Sequence, residues 1–82
     1  MTPTLFHAGG FRFFFYSREE ARRHVHVSHP DGEAKFWLEP SIVLASYQGL
    51  TGVQVRTAER LVRLHRKEIE DGWVKHFGDQ SP

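Results

Sequence analysis

The chain of 82 residues contains no cysteine, so disulfides and thiolate metal ligands are excluded as sources of stability. Such an absence is typical of proteins from a reducing compartment. No apolar stretch approaches the ~18–20 residues that a membrane-spanning helix requires. Residues 1–4 lack the basic start and the apolar run of a secretory signal peptide. We therefore expect a cytoplasmic protein with no membrane partner.

An excess of charge of one sign is also missing. Eleven lysines and arginines are balanced by ten acidic residues, which leaves a formal net charge of +1. A protein that coats nucleic acid by charge alone needs a clear excess of basic residues. The composition therefore argues against a binding mode that depends on overall charge.

The length predicts a single domain over residues 1–82. A domain of this size buries only about 60–65% of the surface that its unfolded chain exposes, so large side chains must form its core. Seven phenylalanines and two tryptophans are present, and each such side chain buries roughly 150–250 Å².

The first half of the chain has the two-residue periodicity of β-strands. The candidate strands are residues 5–7, 11–16, 24–28, 33–38 and 41–47. The last of these also fits a helix. Residues 29–32 have the composition of a tight turn, because Pro fixes φ and Gly accepts a positive φ. The charged residues 17–23 indicate an exposed connector. The pattern predicts an antiparallel sheet of four to five strands within residues 4–47.

The second half changes to a helical period. Thr51 and Gln54 have the spacing of a capping box, in which each side chain satisfies a backbone N–H of the other residue. Apolar positions then recur on one face through Trp73, which predicts one helix over residues 52–77. Gly78 is a natural end for it, and residues 78–82 are expected to fray. The predicted fold is α+β, with the sheet covered on one face by this long C-terminal helix.

Strand alternation sorts the side chains into two faces. Phe11, Phe13 and Phe15 are expected to meet the helix, because the opposite choice would bury Arg12 without a partner. The same logic applied to the next two strands defines a mixed face, here called the outer face. It is predicted to carry Arg12, Phe14, Tyr16, His24, His26, Lys35 and Trp37.

His24 and His26 lie roughly 6.6 Å apart on one side of a strand, at about 3.3 Å per residue. Imidazoles ordinarily titrate near neutral pH, so this pair could act as general base and general acid on a phosphate. RNA cleavage would also require a cation for the developing charge, which Lys35 or Arg12 could supply. Alternatively, the two histidines simply line a surface or an interface with a partner.

The same two histidines could instead bind one metal ion, with His29 or Glu33 completing the ligand set. A His-x-His pattern alone is a weak metal signal, and no further ligand follows at a recognisable spacing. The sequence therefore assigns no metal ligand and no cofactor.

Phe14, Tyr16 and Trp37 on the outer face also admit more than one interpretation. Exposed aromatic side chains on a sheet can stack unpaired RNA bases. Tyr and Trp are also common anchors of protein interfaces, and a bent sheet could bury them as core. The low net charge favours an interface, with a small protein as the partner and RNA or a second copy of the chain as alternatives.

Five segments together resemble a known family. They are residues 9–10, 12–17, 24–27, 34–38 and 73–77, with the sequences GG, RFFFYS, HVHV, AKFWL and WVKHF. They are similar to the small bacterial family called domain of unknown function 4160, over nearly the whole chain. Arg23 stands where the family has a proline. The resemblance implies a bacterial protein, often encoded beside another small protein and suspected of belonging to toxin–antitoxin-like pairs. It implies no catalytic residues.

These observations lead to one main hypothesis and two alternatives. The main hypothesis is a toxin–antitoxin-like component that binds a small protein through the outer face, using Arg12, Phe14, Tyr16, Lys35 and Trp37. The first alternative is a small ribonuclease or RNA-binding protein that uses His24 and His26 as catalytic residues. The second is a metal-binding protein that uses the same histidines.

Overall fold

The computed structural model describes residues 4–16 and 22–78. Five antiparallel strands form one sheet in the order β1-β2-β3-β4-β5, followed by two helices. The elements are β1 (Thr4–Ala8), β2 (Phe11–Phe14), β3 (His24–His29), β4 (Gly32–Trp37), β5 (Val43–Gln48), α1 (Gly52–Leu64) and α2 (Arg66–Phe77). The predicted α+β class and the strand reading of residues 41–47 are confirmed. No helix in these ranges is long and apolar enough to cross a membrane.

Short turns join the strands where the sequence has turn residues. Gly9 and Gly10 connect β1 to β2 with φ of 58° and 82°, a region that favours glycine. Residues 30–31 connect β3 to β4, as the turn composition predicts. Of the predicted connector 17–23, residues 17–21 lie outside the described ranges, as do residues 79–82 of the predicted frayed tail.

The helical half contains two helices where the sequence predicts one. The Thr51–Gln54 capping box is present in both directions, and Gly78 follows α2 with its N–H bonded to Val74 O. The helix is interrupted at His65, whose ψ of 19° departs from the helical value near −42°. The His65 ring lies 4.5 Å from the ring of Phe6 on β1. The chain thus leaves the helical conformation at the residue whose ring contacts the sheet, and α2 begins at the next residue.

One hydrophobic core lies between the sheet and the helices. From the sheet and the residues that directly follow β2 and β4, it contains the inward-facing ones predicted from alternation: Phe11, Phe13, Phe15, Val25, Val27, Ala34, Phe36 and Leu38. The helices contribute Ala58 and Val62 from α1 and Ile69 and Trp73 from α2. The helices therefore bury their apolar residues against the same side of the sheet, which is the inner face.

The β3–β4 turn also packs against the segment that leaves β5, with backbone against backbone. A Cβ atom built on Gly32 would collide with the carbonyl oxygen of Gln48 and lie 2.8 Å from the Cα atom of Gly49. Gly49 itself has a φ of 80°, and a Cβ atom built on it would collide with the carbonyl oxygen of Asp31. Both positions require glycine, because a side chain at either one could be accommodated only if the backbone of the other segment moved.

We expect Gly32→Ala to lower the free energy of unfolding by about 2–3 kcal/mol, the range for overpacking a site that cannot relax. Gly52→Ala is the matched control, since the nearest atom to its added methyl group would be a side-chain nitrogen of Arg56 at 3.4 Å. That control should change stability by less than about 0.5 kcal/mol. Urea denaturation of both variants measures the difference, and equal stabilities would contradict the tight backbone contact.

Candidate functional site

The strand register arranges the outer-face side chains in rows across the sheet. Residues directly opposite one another on antiparallel strands share a face. One row runs across four strands as Phe14, His26, Lys35 and Ser46. The next row runs as Arg12, Ser28, Glu33 and Gln48. The predicted outer-face residues of β2, β3 and β4 therefore come together in one patch.

Ring contacts connect this patch from strand to strand. His26 lies at its centre: the Phe14 ring stacks on the imidazole with centroids 5.5 Å apart, and the Tyr16 ring meets it edge-on at 4.4 Å. His24 contacts His26 at 5.1 Å and Trp37 at 5.5 Å. The aromatic and imidazole groups that the sequence places on the outer face are thus in mutual contact.

Cations lie over two of these rings. The guanidinium carbon of Arg12 is 4.3 Å from the centroid of Phe14. The indole of Trp37 has two such neighbours, Arg22 at 4.2 Å and Lys35 at 4.4 Å. A cation at this distance is attracted by the electron-rich ring face. The patch formed by Arg12, Phe14, Arg22, Lys35 and Trp37 is here called the cation–aromatic patch.

Hydrogen bonds hold both arginines in these positions. Arg12 Nε donates to Thr4 Oγ1 at 2.7 Å, and Arg22 Nε donates to the carbonyl oxygen of Glu39 at 3.0 Å. Arg22 is a site residue that the sequence analysis missed, because it was assigned to the charged connector. The signal was available, since the alternation of His24 and His26 extended by two residues reaches Arg22.

His24 differs from the prediction of an accessible histidine on the outer face. Its side chain is only 1% exposed, and its ring contacts Trp73 of α2 at 5.5 Å. The pairing of β2 with β3 ends at Phe14 and His26, and the His24 ring is in contact with two indoles, those of Trp37 on β4 and Trp73 on α2. His24 Nδ1 lies 2.7 Å from the carbonyl oxygen of Arg22, and because a carbonyl only accepts, this nitrogen donates.

A groove opens on the outer face next to His26. Its volume is about 220 Å³. The residues that line it are Tyr16, His26, Glu33, Ala34, Lys35, Ser46, Tyr47 and Gln48. Among the predicted site residues, the groove thus brings together Tyr16, His26 and Lys35, whereas His24 is buried outside it.

The proposed metal ligands do not converge. The His29 ring contacts Phe11 of the inner face at a centroid distance of 4.9 Å, and its Nδ1 accepts the backbone N–H of Asp31. It therefore faces away from His26, and the expectation that it completes a ligand set is wrong. Within residues 4–16 and 22–78, no group of three or more His, Cys, Asp or Glu side chains could hold a metal ion.

Comparison with known protein families shows to which family the chain belongs. A family profile with the description Domain of unknown function (DUF4160) matches residues 10–74. The chain belongs to this family. The DUF4160 match spans strands β2 to β5 and most of the helical layer, so it includes the whole cation–aromatic patch and the groove. Comparisons with curated proteins and with solved structures find no match.

The burial of His24 predicts that this residue stabilises the fold. We expect His24→Ala to cost about 2–3 kcal/mol of unfolding free energy, because it removes a buried ring and leaves the Arg22 carbonyl without its donor. His7→Ala on β1 is the control, since His7 is exposed, and it should change stability by less than about 0.5 kcal/mol. Thermal and urea denaturation measure both effects. A His24 variant as stable as the His7 variant would contradict the structural role.

Proposed function

We propose that this DUF4160 protein is a toxin–antitoxin-like component that binds a small protein partner through its outer face. The observation that supports the proposal is the cation–aromatic patch. It concentrates the positive charge of Arg12, Arg22 and Lys35 on one side of a chain whose overall charge is only +1. A local charge of this kind selects a partner with a complementary acidic surface and speeds its association.

The patch is also ordered before any partner arrives. Long cationic side chains lose roughly 1.5–2 kcal/mol of rotamer freedom when they are fixed, which weakens most interfaces built from them. Here the rings of Phe14 and Trp37 and the hydrogen bonds to Thr4 and Glu39 hold both arginines. Part of that entropic cost is thus met by folding, so that binding through these groups is more favourable.

The same contacts speak against base stacking as the main mode of recognition. A base needs an open ring face. Phe14 is only 4% exposed, and Trp37 has two cations over its ring. Tyr16, which is 40% exposed, is the remaining aromatic of the predicted set with substantial accessible surface. A protein partner with an acidic surface fits this cationic surface better than single-stranded RNA does.

The kind of partner follows from the family resemblance rather than from the geometry. It implies a small protein encoded beside the gene of the chain, and a relation of toxin–antitoxin type between the two. The outer face is the surface that we assign to this partner, because the inner face is occupied by α1 and α2.

RNA cleavage is the weaker candidate function. Acid–base cleavage would need two groups that both reach the phosphate, and His24 is buried. His26 lies opposite Lys35 and lines the groove, so the groove offers a single imidazole with one cationic side chain to a substrate. Those two groups suit contact with an anion better than a two-proton transfer.

The binding proposal predicts a strong effect of charge reversal. We expect the double variant Arg12→Glu with Lys35→Glu to weaken the complex with the co-expressed neighbouring gene product by roughly 10–100-fold. Arg56→Glu with Arg60→Glu, on the exposed side of α1, makes the same change in net charge and should have little effect. Trp37→Ala should also weaken binding, because it removes the support of two cations. Co-purification followed by calorimetric titration measures the affinities, and equal losses in both double variants would reject the outer face.

The alternative is tested with the same protein. We expect purified wild-type chain and His26→Ala to leave a labelled single-stranded RNA equally intact, because the outer face holds one accessible histidine of the predicted pair. Gel analysis of the RNA after incubation is the measurement. Cleavage by the wild type that disappears in His26→Ala would overturn the binding proposal in favour of a ribonuclease.

A further inference from the structure

The groove beside His26 differs from the rest of the outer face in its chemistry. His26, Lys35 and Ser46 stand directly opposite one another on β3, β4 and β5. Neighbouring strands are about 4.8 Å apart, so these three side chains span roughly 10 Å. The groove is therefore lined by an imidazole, a lysine side chain and a hydroxyl in one row, with Tyr16 at its wall, and the ammonium of this lysine also contacts the Trp37 ring at 4.4 Å.

Most polar groups of the groove can donate hydrogen bonds. The ammonium of Lys35, the hydroxyls of Tyr16 and Ser46 and the amide of Gln48 are all donors. A set of donors with one positive charge is suited to an oxyanion. The groove thus favours a ligand that accepts several hydrogen bonds and carries a negative charge.

Glu33 limits which anion can enter. It lines the groove and lies opposite Gln48, one row away from Lys35. A nucleic-acid backbone that ran along the groove would bring successive phosphates past this carboxylate and be repelled, whereas a side-chain carboxylate that enters end-on at Lys35 stays a row away from it. The arrangement therefore disfavours a nucleic-acid backbone and favours a single carboxylate.

The size of the groove agrees with a side chain as the ligand. Pockets for drug-sized molecules and cofactors have volumes of about 300–1,000 Å³, whereas this groove has about 220 Å³. Apolar ring surface from Tyr16 and Tyr47 lies beside the donors. A carboxylate on a short methylene stem matches both the volume and this mixed lining.

We infer that the groove formed by Tyr16, His26, Lys35 and Ser46 is a carboxylate subsite that receives an acidic side chain of the protein partner. The inference rests on the proposed function, because the partner supplies the carboxylate. Lys35 binds it as the charged donor, and Ser46 and Tyr16 orient it. In this arrangement Arg12 and Arg22 attract the partner, and the groove determines where one of its acidic residues docks.

The test is an NMR titration of the full chain with hexaglutamate, read at the Ser46 amide and at the ring signals of Tyr16 and His26. We expect saturable shifts at these residues and no shifts with neutral hexaglutamine. Lys35→Met should weaken hexaglutamate binding roughly 5–10-fold, since it removes the charge and keeps the stem. Lys67→Met is the control, because Lys67 is 89% exposed on α2 and forms an ion pair with Asp71.

Each other result has a definite meaning. Unchanged affinity in Lys35→Met, or no saturable shift with hexaglutamate, overturns the subsite. Tighter binding of a uridine decamer at the same signals overturns the carboxylate assignment in favour of RNA. The proposed function is tested separately from the subsite, because its test is binding of the neighbouring gene product and not of hexaglutamate. If hexaglutamate binds but that protein does not, the proposed function fails and the groove binds a carboxylate without receiving it from this partner. If the protein binds but hexaglutamate does not, only the subsite fails.

Discussion

The pairing of β3 with β4 is the constraint on which both faces of the sheet depend. The two strands are in register over six residue pairs, and Val25 opposite Phe36 is fully buried. Because side chains alternate along a strand, this buried pair commits His26 and Lys35 to the outer face. A slip of one residue would bury the lysine and expose the phenylalanine. The hydrophobic core therefore specifies the position of the charged surface.

The core and the outer face are also joined at one end of the sheet. Trp73 of α2 packs on Phe15 of the inner face and reaches His24, which in turn contacts His26 and Trp37. The imidazole of His24 is thus a structural link between the helix layer and the outer face. A domain of 82 residues has a small hydrophobic core. The burial of His24, the first residue of β3, adds to that core.

Periodicity and local chemistry were sufficient to predict most of the fold. The alternation in β3 and β4 and the capping box at Thr51 depend on neighbours in the sequence, so the sequence alone reveals them. The interruption of the helix at His65 and the burial of His24 depend on contacts with Phe6 and Trp73, which are distant in sequence. Such contacts follow from strand lengths and helix placement, and a pattern of residue types does not contain them. The outer-face position of Arg22 could have been predicted by extending the alternation of β3 by two residues, but the charged residues around it suggested a loop.

The cations of the helices and the cations of the outer face have different kinds of neighbour. On the helices, Arg63, Arg66 and Lys67 each have a carboxylate four residues away within 3.2 Å, so most of their field is cancelled locally. On the outer face, Arg12 and Lys35 lie over aromatic rings. A ring attracts a cation through its quadrupole without neutralising its charge. The aromatic side chains of the outer face thus cover part of their own apolar area with the side chains of Arg12 and Lys35, which keeps these two cations on the same face of the sheet as His26.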